Sequence, residues 1–206
     1  VAEINPSIGY QVNDRLSLGF GVSAQYSEAT LANHIDFSAV CLSQLNPAQC
    51  TATGFLPGRP EGYLRVTGDD WAFGWNVGAL YDLTETTRLG VSYRHKVDHN
   101  LEGEADFGAP TNAAIFAPTF TDTGGSAELN LPAELAVSLA HQVNDRLSLN
   151  ASVVYTFWDF ERLVVEFDNP AQPAAGETLG YDDEVRYAVG GEYRYNSRLT
   201  LRAGVA

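Results

Sequence analysis

Six stretches of this 206-residue chain alternate apolar residues with small or polar ones at a strict two-residue period, and no other feature limits its fold as tightly. Leu16, Leu18, Phe20, Val22, Ala24 and Tyr26 take one phase, while Ser17, Gly19, Gly21, Ser23 and Gln25 take the other. Period two places successive side chains on opposite faces of a β-strand. The sorting returns in Trp71, Phe73, Trp75, Val77, Ala79 and Tyr81, in Leu89, Val91, Tyr93 and Val97, and in Leu147, Leu149, Ala151, Val153, Tyr155 and Phe157. It recurs in Val185, Tyr187, Val189, Tyr193 and Tyr195, and in Leu199, Leu201, Ala203 and Val205. The pattern predicts an all-β, antiparallel protein with strands over 3–12, 15–27, 69–82, 88–104, 126–143, 146–166, 181–195 and 198–206.

The strands are joined in a lopsided way. A turn followed by Arg-Leu occurs at Gln11-Val-Asn-Asp-Arg-Leu-Ser-Leu18, Thr84-Glu-Thr-Thr-Arg-Leu-Gly-Val91, Gln142-Val-Asn-Asp-Arg-Leu-Ser-Leu149 and Tyr195-Asn-Ser-Arg-Leu-Thr-Leu201. Asn-Asp and Asn-Ser suit tight hairpin turns because their side chains bond their own backbone. Arginines at 15, 88, 146 and 198 set a repeat long enough for a hairpin plus a long loop. The short turns therefore share one end, and the segments 28–68, 105–125 and 167–180 share the other. Outer-membrane barrels are connected in this way.

The residues opposite the apolar phase favour a barrel over a soluble sandwich. They are mostly Gly, Ser, Ala and Asn, with a few ions such as Arg94, Lys96, Arg186, Glu192, Arg194 and Arg202, which suits a crowded lumen. No ionic side chain falls in the apolar phase of these spans, where one at mid-bilayer would cost about 2–4 kcal/mol. Tyr10, Tyr81 and Tyr195 lie beside the short turns, and Tyr26, Trp71, Phe157 and Trp158 lie towards the long loops, as two aromatic girdles would. No apolar run is long enough for a transmembrane helix. Asp and Glu outnumber Lys and Arg 26 to 12, for a net charge of -14, which excludes a nucleic-acid partner held through its phosphates. With no Met and a start at Val1, the chain is expected to be a fragment or a processed product.

Several segments resemble the FadL-type outer-membrane transporters of long-chain fatty acids and hydrocarbons (OmpP1/FadL/TodX). They are Gly68-Asp-Asp-Trp-Ala-Phe-Gly-Trp-Asn-Val-Gly-Ala-Leu-Tyr81, Thr87-Arg-Leu-Gly-Val-Ser-Tyr-Arg94 running into Leu101-Glu-Gly, Leu129-Asn-Leu-Pro-Ala-Glu134, Tyr187-Ala-Val-Gly-Gly-Glu-Tyr193 and Leu199-Thr-Leu-Arg-Ala-Gly204. The resemblance covers nearly the whole chain. It implies a partial transmembrane β-barrel over 1–206, about eight of fourteen strands, without the N-terminal hatch and flanking strands. It places the chain in the bacterial outer membrane, among outer-membrane lipid and lipopolysaccharide. It further implies passive uptake of a long-chain fatty acid or similar hydrophobic small molecule, caught in an apolar groove of the loops 28–68 and 105–125 and passed to the lumen. The apolar residues of those loops, Leu31, Ile35, Phe37, Val40, Leu45, Phe55, Leu56, Ile115, Phe116 and Phe120, are the candidate groove, and Arg94, Lys96, Arg186 and Arg194 are candidate anchors for a carboxylate. Arg94 and Lys96 are expected on one strand face. A structural or adhesive barrel and a water-filled porin are the alternatives; a porin should carry charged rings in its lumen.

Cys41 and Cys50 lie in the longest loop, and an exported chain meets an oxidising compartment, so a disulfide is expected between them. Around them the sequence predicts a helical hairpin, with Asp36 as N-cap and Asn46-Pro47 stopping and restarting the chain. Its apolar stripe either packs on the rim or binds lipid. His95 and His99 would share a strand face at roughly 13 Å, too far apart for a metal pair. Asp69-Asp70 and Asp182-Asp183-Glu184 read as solvated rim acids. No nucleophile triad, zinc spacing or phosphate loop is present, so the sequence points to no enzyme and no cofactor.

Overall fold

The computed structural model describes residues 1–55, 61–116, 118–158 and 162–206. Its strands form one sheet in which every pairing is antiparallel. The chain crosses the sheet in the eight expected passes, several of them interrupted. The first is β1 (Ala2–Ile4) with β2 (Ser7–Asn13), followed by β3 (Leu16–Asp36) and β4 (Glu61–Thr84). The fourth is β5 (Thr87–Arg94) with β6 (Val97–Gly108), and the fifth is β7 (Thr123–Leu131) with β8 (Ala133–Gln142). Then come β9 (Leu147–Phe157) with β10 (Arg162–Phe167), β11 (Ala175–Thr178) with β12 (Glu184–Arg194), and β13 (Thr200–Val205). Each pass pairs with the next, and β2 and β13 do not pair with each other.

Three of the four repeated turns share one mechanism, and in the fourth the Thr84 hydroxyl accepts from the N–H of Thr86. The side-chain oxygen of Asn13 accepts from the backbone N–H of Arg15 and Leu16, both at 2.9 Å. Asn144 does the same for Arg146 and Leu147, and Asn196 for Arg198 and Leu199. An asparagine so placed satisfies donors that a two-stranded turn would otherwise leave to water.

Near these turns the sheet is inside out relative to a soluble protein. Cross-strand partners share a face, so the register aligns Leu18, Ala79, Val91, Val137, Val153 and Tyr187 in one row across the sheet. Phe20, Val77, Tyr93, Leu135, Tyr155 and Val185 form the next. This face, the outer one, is exposed: Phe73 is 78% accessible and Phe20 48%. On the opposite, inner face Ser23, Gln25 and Ser27 are buried. Water would not tolerate the first arrangement over such an area, whereas lipid requires it. β8 and β9 have 10 and 11 residues, the length needed by a strand tilted about 45° across a bilayer.

Towards the long loops the polarity reverses, and the sequence reading did not foresee this. Asn76 pairs with Arg94 and Asp69 with Glu102, so the register between β4 and its partner shifts by one residue across Arg94–Val97. His95 and Lys96 together oppose Trp75, which is a β-bulge. Beyond it Val97, His99, Leu101 and Ala105 face inward and are buried, while Asp98, Glu102, Glu104 and Asp106 face outward. The expectation that Val97 continues the outer set of Leu89, Val91 and Tyr93 is therefore incorrect, because one inserted residue exchanges the two faces. Gly74 opposite makes room, since a Cβ there would lie 2.8 Å from Val97 Cγ2. The neighbouring pass changes phase at the same level, at Pro132, which has no N–H for the ladder. From β5 to β8 apolar side chains face outward below this line and inward above it, whereas on β3 and β4 the outward set continues to Tyr26 and Trp71.

The excursion read as a loop over 28–68 is consequently strand at both ends, since β3 runs to Asp36 and β4 starts at Glu61. Between them lie α1 (Phe37–Gln44) and α2 (Pro47–Ala52). Asp36 accepts from the N–H of Ser38 and Ala39, as the sequence predicts, and at the restart Asn46 and Gln49 form a reciprocal capping box.

Candidate functional site: the inner face and the loop core

Phe37, Cys41, Cys50, Phe55, Ala113 and Phe116 make a closed apolar core above the sheet. Ile35, Val40, Leu45 and Phe120 pack against it. Cys41 and Cys50 are joined by a disulfide, with their Cα atoms 5.8 Å apart. Phe37 meets Phe120 edge-on at 5.0 Å, and Phe120 and Phe167 flank Phe107 at 5.9 and 5.8 Å. These rings tie the helical hairpin to a second cluster on the inner face, Val66, Ala105, Ala127 and Val165. Gly62 lies beneath the Phe37 ring, and a Cβ there would collide with it.

Most candidate groove residues thus fill the core and leave little surface for a ligand. Ile115 and Leu31 remain exposed, at 53% and 39%. Leu56 lies outside the described residues. The open apolar surface lies lower, in a cavity of about 580 Å³ lined by Leu31, Leu64, Val66, Leu163, Val165 and Ala175. Apart from Leu31, the sequence reading missed these residues. Their signal was the reversed alternation of β3 and β4 beyond Tyr26 and Trp71.

Nearer the turns the inner face forms a trough of about 630 Å³. One cross-strand row, Gly9, Gly19, Gly78, Ser92 and Ala136, floors it and continues beyond it through Val154 to Arg186. Six interstrand steps of about 4.8 Å give this row roughly 29 Å. Small side chains occupy most of that length, and the Arg186 guanidinium ends the row two strands beyond the last residue that lines the trough. No carboxylate lies within ion-pair distance of Arg186 or Arg194 among the described residues. The other inner-face arginines are paired: Arg94 with Glu3 at 3.5 Å and Arg202 with Glu192 at 2.7 Å. Lys96 does not share the face of Arg94. It sits in the bulge and reaches Asp98 on the outer side at 3.1 Å.

The bulge also separates the histidines, contrary to the expectation of a shared face. His95 stacks on the outer-face Trp75 with ring centroids 5.0 Å apart. His99 is buried on the inner face between Asp70 Oδ2 at 3.1 Å and Gln25 Oε1 at 3.4 Å. The rim acids do more than meet solvent. Asp70 also accepts from the N–H of Asn100, and Asp183 accepts from the Tyr155 hydroxyl at 2.6 Å and the Trp158 N–H at 2.9 Å.

Residues 1–206 match the outer membrane protein transport protein family (OMPP1/FadL/TodX) over their whole length. The chain belongs to this family. Its relatives include outer membrane protein P1 of Haemophilus influenzae, 31% identical over 98% of this chain and 45% of that protein. The long-chain fatty acid transport protein of Salmonella typhi is 30% identical over 98% of this chain and 48% of its own length. Among solved structures, the Ralstonia pickettii toluene transporter TbuX superposes with a TM-score of 0.71 at 27% identity, over 96% of this chain and 52% of that one. The CymD monoaromatic hydrocarbon channel gives 0.69 at 25%, over 96% and 56%. The chain spans about half the length of the curated relatives it matches. As a FadL-family member it is an outer-membrane protein, and its outer face is the lipid-facing one.

Proposed function

We propose that the protein carrying this chain takes up a long-chain fatty acid or a comparable hydrophobic molecule passively across the outer membrane, and that these strands form part of its barrel wall. The trough from Gly9 to Ala136 carries this reading, together with Arg186, which is unpaired among the described residues and stands farther along the same cross-strand row. An extended tail fits a floor of small residues, and a carboxylate fits a guanidinium that has no partner, through a charge-assisted bond. Each buried methylene contributes about 0.8 kcal/mol, so a dozen supply roughly 10 kcal/mol before the costs of binding. The cavity around Leu31, Leu64 and Val66 lies on the same face at the loop end and suits a first apolar contact. The loop core holds the hairpin over that entrance. A water-filled porin is disfavoured, because no charged side chain lines the trough.

The names of the relatives divide between fatty acids and monoaromatic hydrocarbons, and the arginine separates the two. In the protein carrying this chain, Arg186→Ala should weaken binding of a fatty acid about tenfold or more, the loss expected for a charge-assisted bond, and leave binding of the matching alkane unchanged. Equal losses for both ligands would show that Arg186 supports the wall and does not read the carboxylate. Arg194→Ala in parallel decides which of the two unpaired guanidinia does so.

A further inference from the structure

The chain contains eleven arginines and a single lysine, Lys96, and that lysine lies where the outer face changes from apolar to acidic. Below it is the exposed apolar row of Val91, Val137 and Val153. Above it one outer-face row places Glu28, Asp69, Glu102, Ser126 and Glu166 side by side, and Glu104 and Asp106 follow on β6. Lys96 lies in a cavity of about 260 Å³ formed with Tyr93, Phe157, Ala133, Pro132 and Asn130. Pro132, opposite Lys96, lacks the N–H that would close the ladder, so the sheet opens there. His95 stacks on Trp75 and Tyr93 packs tilted against both along one side, and the Tyr155 and Phe157 ring centroids lie 4.6 Å apart. The Lys96 ammonium rests on Asp98, but both side chains are about half accessible, and such a surface pair contributes little.

We propose that this cavity is a binding site for one anionic membrane lipid, its head group on Lys96 and its acyl chains along Val91, Val137 and Val153. An anionic head group at this level meets repulsion from the acidic rows above, and Lys96 supplies the counter-charge at the boundary. Aromatic rings flank the glycerol level, where amphipathic rings are favoured. On binding, the ammonium exchanges Asp98 for the lipid phosphate. The site rests on the outer face meeting lipid and is independent of what the barrel carries.

The test uses the protein carrying this chain with Trp75 kept as its sole tryptophan, in phosphatidylcholine vesicles with rising fractions of dibrominated phosphatidylglycerol or dibrominated phosphatidylcholine. Quenching by both lipids reports that Trp75 meets lipid at all, so loss of the membrane assignment and loss of the site are distinguishable. The expected result is half-quenching at an about fivefold lower fraction of the anionic lipid, the ratio given by roughly 1 kcal/mol per cation at a membrane surface. Lys96→Gln should bring the ratio to one, Lys96→Arg should keep it, and Asp98→Asn should raise it. Equal quenching in the unsubstituted protein, or a preference that survives Lys96→Gln, would overturn the proposal. So would abolition of the preference by millimolar inorganic phosphate, which would make this an ion site and not a lipid site.

Discussion

A single arginine placed at three positions tests where the membrane begins and which face meets it. Val137 occupies the outer-face row between Val91 and Val153 and is 40% exposed. It lies four residues below Ala133, at the level where the sheet changes phase, so its depth is about 13 Å along the strand and roughly 10 Å along the membrane normal for a 40° tilt. Val137→Arg should therefore destabilise the folded protein by about 2–4 kcal/mol, a factor of roughly 30 to 700 in the folding equilibrium. Ser138→Arg, one residue on, points into the trough and should cost under about 1 kcal/mol. Glu104→Arg, on the outer face but above the bulge, should cost about as little, since it stands clear of hydrocarbon. The assay is urea-dependent folding into lipid vesicles, followed by tryptophan fluorescence and by electrophoretic mobility without heating. If Ser138→Arg cost as much as Val137→Arg, the assignment of faces would fail. If Glu104→Arg cost 2 kcal/mol or more, the boundary at His95–Lys96 would be misplaced.

Deleting His95 leaves Lys96 alone opposite Trp75 and closes the bulge with Val97, His99 and Leu101 still inward and Asp98 and Glu102 still outward, so the folded fraction in vesicles should stay near normal; a sharp fall would mean that His95 and Lys96 do not share one position across from Trp75. Replacing Asn13, Asn144 or Asn196 by Ala leaves two turn N–H groups without their acceptor and should cost about 1 kcal/mol each, read as a lower urea midpoint. Joint replacement of Cys41 and Cys50 by Ser, ten residues inclusive by their separation of 9, should destabilise the hairpin by about 2–3 kcal/mol on the loop-entropy relation. Hydrogen exchange should then rise in α1 and α2 and stay unchanged in β8 and β9.

The strands near the turns were legible from residue order alone, because lipid on one side and a crowded lumen on the other impose an unbroken period-two code. Leu18, Phe20, Val77, Val91, Val153 and Val189 all lie on the face their phase indicates. The Asn turns and the caps at Asp36 and Asn46 were equally readable, since each depends on contacts within a few residues. What sequence could not settle was the phase beyond residue 94: whether His95 and Lys96 are one step or two depends on the partner, and only pairing with Trp75 shows that both oppose one residue. From that single count follow the outward turn of Lys96, the parting of His95 from His99, and the burial of Val97. The loop phenylalanines present the same limit. Composition marks them as apolar, but whether apolar side chains make a groove or fill a core depends on what packs over them, and here Phe116 and Phe120, distant in sequence, close over Phe55 and Phe37.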